Sequence, residues 1–132
     1  MADRQIEQAY RWQDIICVLD HHCDDLTDEQ LYLAFFKLSR AFKLKHVFLK
    51  LLPKQTKMEY SSQLFDTVTL IPEHRNYQIL CHEFAHLVVW KWYEIGLKRK
   101  IEAHGAEWLT VFMILLHLTC EYDIEYMVDQ AN

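Results

Sequence analysis

Four residues punctuate this chain. Pro53, Pro72, Gly96 and Gly105 are the only two prolines and two glycines in 132 residues, so no long structureless linker fits between its elements. Pro53 opens a turn, Pro72 closes a section of alternating residues, Gly96 follows a long helical stretch and Gly105 opens another. With 52% apolar and 14% aromatic residues the chain has enough to bury a real core, and its length suits one domain spanning residues 1–132.

The hydrophobic period changes twice between these breaks. Ile6, Ala9, Tyr10, Ile16 and Leu19 recur at helical spacing, which predicts a first amphipathic helix over 3–22, within an N-terminal section 1–26. Thr27 followed by Gln30 has the form of a capping box and starts a second helix running to Leu44, with Leu31, Ala34, Phe35, Leu38 and Phe42 on its apolar face. Residues 46–53, 57–63 and 65–72 read as three short strands, with a turn over 53–56. A long helix over 73–95 follows, with Gly96 as its C-terminal cap. After a loop at 97–103 comes a helix over 104–118, then a short helix or tail over 119–132. The layout predicts an α+β fold in which a small three-stranded antiparallel sheet packs on helices.

Composition excludes some classes. The longest apolar run, 108–116, is too short to span a bilayer, and the chain opens on polar and charged residues rather than a signal segment. The expectation is an intracellular protein, cytoplasmic or associated with nucleoid or nucleus, with no membrane partner. Cys17, Cys23, Cys81 and Cys120 form no C-x-x-C pair and read as reduced thiols, Cys81 facing the core. The net charge of -5 argues against nucleic acid, yet residues 37–57 carry seven basic residues and no acidic one. Lys43, Lys45, Lys50, Lys54 and Lys57 are therefore either candidate nucleic-acid contacts on a basic face or simply solvated lysines.

The stretch "ILCHEFAHLVVW" (79–90) carries the chemistry. His82 and His86 lie one helical turn apart on one face, with Cβ atoms about 5–6 Å apart, which lets both imidazoles meet a zinc ion at about 2.0–2.1 Å. Glu83 sits beside such an ion and is the candidate general base for a water the metal activates. The same five residues also describe a core helix with two satisfied histidines. A catalytic zinc needs a third ligand and an open position, and His104, in "EAHGAEW", is the candidate. His21, His22, His46, His74 and His117 are weaker ones. Three imidazoles and an open position suit one Zn2+ best.

"CHEFAHLVVWKWYEIG" together with "AHGAEW" resembles the SprT-like zinc metalloprotease family, the protease core of bacterial SprT and of Spartan. In that family an H-E-x-x-H helix is followed by H-G-x-x-W or H-G-x-x-F. The resemblance covers residues 27–118 and includes "FDTVTLIP", which ends just before the active-site helix. It implies a gluzincin-like mini-metalloprotease with His82, His86 and His104 as metal ligands and Glu83 as general base, and an association with degrading proteins crosslinked to DNA. The loop between His86 and His104 is longer than in bacterial SprT. No cysteine follows Cys120, so the expectation is a minimal form of the family, lacking its C-terminal zinc ribbon.

Around this centre several roles stay open. Glu107, three residues after His104, either orients that imidazole or complements the positive end of its helix. Tyr60 and Arg75 are candidate stabilisers of a tetrahedral oxyanion, with structural roles as the alternative. The strand over 66–71 offers an edge on which a protein or peptide substrate pairs in extended form. The expected function is a zinc endopeptidase, with DNA as a partner through the basic face. The competing expectation is a non-catalytic protein- or DNA-interaction module that keeps the metal for folding.

Overall fold

The computed structural model describes residues 26–54, 57 and 60–120, with side chains as far as 116. The predicted first helix, the C-terminal tail, His21, His22, Cys17 and Cys23 lie outside the described residues, as do the side chains of His117 and Cys120.

Helix α1 (Asp28–Ala41) begins where its capping box predicts. The Gln30 amide donates to Thr27 Oγ1 at 3.1 Å and the Thr27 amide donates back to Gln30 Oε1 at 2.9 Å, so two otherwise orphaned donors are satisfied. Its inward face is Leu31, Phe35 and Leu38, all buried, with Ala34 and Phe42 partly so. The helix stops three residues before the expected Leu44. Lys43 takes φ 55, and the Leu44 and Lys43 amides donate to the Ser39 and Arg40 carbonyls at 2.8 and 3.1 Å. That is a Schellman ending built on a lysine where a glycine is usual, which hid it from the sequence.

Three strands follow: β1 (Phe48–Leu51), β2 (Ser62–Leu64) and β3 (Thr67–Leu70). Their order is β1-β3-β2. β2 and β3 form an antiparallel hairpin around Phe65 and Asp66, in register Ser62↔Thr69 to Leu64↔Thr67. β1 runs parallel to β3, Phe48 opposite Thr67 and Leu51 opposite Leu70. The sheet is therefore mixed, not antiparallel as the sequence suggested. Between β1 and β3 the chain passes through β2 on the far edge, which gives the crossover that a parallel pair requires. Alternation of side chains, the only signal available in the sequence, is the same in both pairings.

β3 is central, and its Val68 and Leu70 side chains are wholly buried beneath the next helix. Ser61 ties the sheet to the turn that follows: its Oγ accepts from the Ile71 amide and lies 3.1 Å from His74 Nδ1. A 3-10 turn at Pro72–His74 intervenes, so helix α2 is Tyr77–Val89 rather than starting at Glu73. The reason is Asn76, whose Oδ1 accepts from the Ile79 amide at 2.9 Å and takes the cap. From Trp90 to Gly96 the helix widens into π winding, where the sequence predicts α-helix. This segment is held from two sides, Trp90 against Phe65 and Trp92 against Phe42, with ring centroids 6.0 and 5.5 Å apart. Gly96 has no positive φ; that conformation falls on Lys98, at φ 52.

Helix α3 (Ala106–Cys120) lies along α2. Trp108, Phe112, Leu115 and Leu116 are fully buried on its inner side. Thus α2 is the centre of the molecule, with the sheet on one flank and α3 on the other, and Phe84 meeting Phe35 and Phe42 from α1. Leu80, Cys81, Phe84, Ala85, Leu87 and Val88 have no exposure. Burial on several sides fixes the rotation of this helix, and hence the direction of its polar residues.

Candidate metal centre

His82 and His86 leave α2 on the side facing the start of α3, where His104 waits just before the helix begins. The ring centroids are 5.1 Å apart for His82 and His86, 5.1 Å for His82 and His104, and 4.8 Å for His86 and His104. One nitrogen from each ring falls within 4.8 Å of the others. His82 Nε2 and His104 Nε2 are 3.2 Å apart. Zinc–nitrogen bonds of about 2.0–2.1 Å place two tetrahedral ligand atoms about 3.3 Å apart, so the spacing suits a shared ion. Between the bare rings the same distance is a hydrogen bond when one carries its proton on Nε2.

The electrostatics favour the ligand form. Burial, and then the neighbouring His104, lowers His82 to about 4. Burial, with His82 and His104 adding to it, lowers His86 to about 3, and burial lowers His104 as well. All three are neutral at pH 7, with lone pairs available to a cation. Glu83 moves the other way: burial raises it to about 7. Its Oε1 lies 3.9 Å from His82 Nε2, alongside the triad rather than within it.

The SprT-like family model matches residues 33–122, which contain all four of these residues. The chain belongs to the SprT-like family. No curated protein and no solved structure matches it at a significant level. Membership makes this SprT-like chain a metallopeptidase-type domain, and its three-histidine cluster is a set that can hold a metal ion.

The SprT-like centre also rests on Trp108, the last residue of the H-G-x-x-W motif, for which the sequence reading proposed no role. Trp108 is fully buried and its indole N–H donates to the His82 carbonyl at 3.2 Å. Its ring lies 4.9, 5.4 and 4.7 Å from those of His82, His86 and His104. The available signal was its place at the end of the H-G-x-x-W motif, four residues after His104.

The other candidates fall elsewhere. Glu107 is in the first turn of α3 and lies 3.7 Å from the Arg99 guanidinium. Arg75 directs its guanidinium to Asp28 and, at 2.7 Å, to the Leu52 carbonyl, joining the start of α1 to the end of β1. Tyr60 is 73% exposed. Lys43, Lys45, Lys50, Lys54 and Lys57 are all exposed. β3 pairs on both sides, so the strand over 66–71 has no free edge, contrary to the sequence reading. Among the described residues, no helix is long and apolar enough to cross a membrane.

Proposed function

We propose that this domain is a zinc-dependent endopeptidase in which His82, His86 and His104 hold one Zn2+ and Glu83 is the general base. The observation that carries the proposal is the convergence of three neutral imidazoles within 4.8 Å of one another, with a buried carboxylate 3.9 Å from one of them. When bound, the ion supplies Lewis acidity towards water and the scissile carbonyl. Glu83 takes the proton of the attacking water on its carboxylate and returns it to the departing amide nitrogen. In the metal-free site burial raises this carboxyl to about 7; a bound cation would favour its carboxylate form, which is the form a general base needs.

The substrate is an extended peptide. With β3 enclosed, the edge for pairing is that of β2, which packs against α2 and pairs only with β3 among the described residues. Main-chain pairing there makes cleavage tolerant of substrate sequence. The exposed lysines at 43–57 support action on proteins bound or crosslinked to DNA.

The test is Glu83→Gln, with metal content measured alongside. The expected result is about one zinc per chain retained, and cleavage of an unfolded protein lowered by at least about 10²-fold. If the wild type binds zinc yet cleaves neither unfolded nor DNA-bound protein, the domain is a non-catalytic module stabilised by its metal.

A further inference from the structure

We infer that Trp108 is the positioning residue of the metal centre: one side chain sets the distance between the histidine pair on α2 and His104. This inference rests on the metal-binding reading above. Trp108 contacts all three imidazoles, stacking on His86 at 26° between planes and standing at 89° to His104. Its other face lies on Phe112, at 4.9 Å and 14°, so the ring is held from behind by α3 itself.

The polar tip supplies direction. The His82 carbonyl lies within α2, where one lone pair serves the helix ladder; the Trp108 N–H takes the other. α3 therefore cannot slide along α2 or roll about its own axis without breaking this part-buried hydrogen bond. His104 lies in the turn before α3 and is tied to the helix through Gly105, whose carbonyl accepts from the Leu109 amide at 3.0 Å; a one-residue slip of about 1.5 Å far exceeds the roughly 0.2 Å that metal–ligand bonds tolerate. The bond joins the two helices at the residue that carries the first ligand. No packing contact made by ring carbons has that directional content.

Removing the N–H separates this role from simple core filling. Trp108→Phe keeps an aromatic ring and leaves no buried donor unpaired, while the His82 carbonyl keeps its helical partner. The loss should therefore fall on ligand placement more than on folding. Replacement of Trp108 by benzothienylalanine is the second variant; it keeps the indole shape and deletes only the N–H. Leu116→Ala is the control, since Leu116 is fully buried on the same helix and has no part in the centre.

The probe is Co2+, titrated into metal-free protein and followed by its visible absorption, with competition by Zn2+ and the folded fraction measured by far-ultraviolet circular dichroism. Both Trp108 variants should bind Co2+ about 10–100-fold more weakly, with a weaker and shifted visible band. Leu116→Ala should lower the unfolding midpoint yet leave the affinity of the folded protein within about threefold. Affinity and spectrum unchanged in the benzothienylalanine variant overturn the inference and leave the metal site standing. A wild type that binds neither Co2+ nor Zn2+ overturns both.

Discussion

Burial acts in opposite directions on the titratable groups of α2, and both serve one centre. It disfavours charge, so the histidines lose protons and Glu83 keeps one. The consequence for the metal-free protein is a definite acid sensitivity. An unfolded chain takes up protons on these histidines near 6.5, whereas folded His82 and His86 refuse them until about 4 and about 3. Between those values the unfolded state binds more protons, and stability falls as pH falls. Glu83 opposes this between 4.5 and about 7, because its folded form holds a proton the unfolded form has lost; one carboxyl is outweighed by the histidines. Thermal unfolding in chelator should show a lower midpoint at pH 5 than at pH 7, and a flat profile would mean that the imidazoles are already protonated when folded. The grouping of His82 with His86 was legible at this scale because spacing on a helix is local. Trp108 was legible only as the end of a motif, because its bond to the His82 carbonyl spans 26 residues.

At the scale of elements, local chemistry predicted starts better than ends. The Thr27 box was written in four consecutive residues, and α1 begins there. Its end at Lys43 used a left-handed residue other than glycine, and so left no mark. For α2 the expected start at Glu73 fell in the polar run 72–76, where Pro72–His74 form a 3-10 turn, and Asn76 decided the boundary. Asn76→Ala should cost about 1 kcal/mol, and Asn76→Asp should keep most of that because it retains the acceptor. Urea unfolding measures both; equal stability of the alanine variant and the wild type would show that the 2.9 Å cap bond contributes nothing. The π winding after Val89 had no signal either. It arises where Trp90 and Trp92 find partners on the hairpin and at the end of α1, contacts that exist only once the domain is assembled.

For the whole molecule, the uneven charge matters more than the net value. The chain carries -5 overall, but Lys37, Arg40, Lys43, Lys45, Lys50, Lys54 and Lys57 are exposed along the outer part of α1, β1 and the loop beyond it. If this surface holds DNA, binding of an oligonucleotide should be measurable at low salt, and log affinity should fall linearly with log salt. Joint replacement of Lys45 and Lys50 by glutamate should weaken binding and flatten that slope. Absence of binding to the wild type at low salt would leave these lysines as solvated side chains.

By itself the sequence determined what depends on neighbours along the chain: the helix carrying His82, Glu83 and His86, the capped start of α1, the alternating strands, and the second motif that brings His104. Tertiary structure alone decided what depends on neighbours in space. It made the sheet mixed, because β3 takes β1 as a parallel partner and β2 as an antiparallel one, a choice that alternation along a strand does not record. It closed the triad by laying α3 along α2, and it gave the indole of Trp108 a carbonyl to hold. Periodicity records which face of an element is buried; only the packed molecule records what it is buried against.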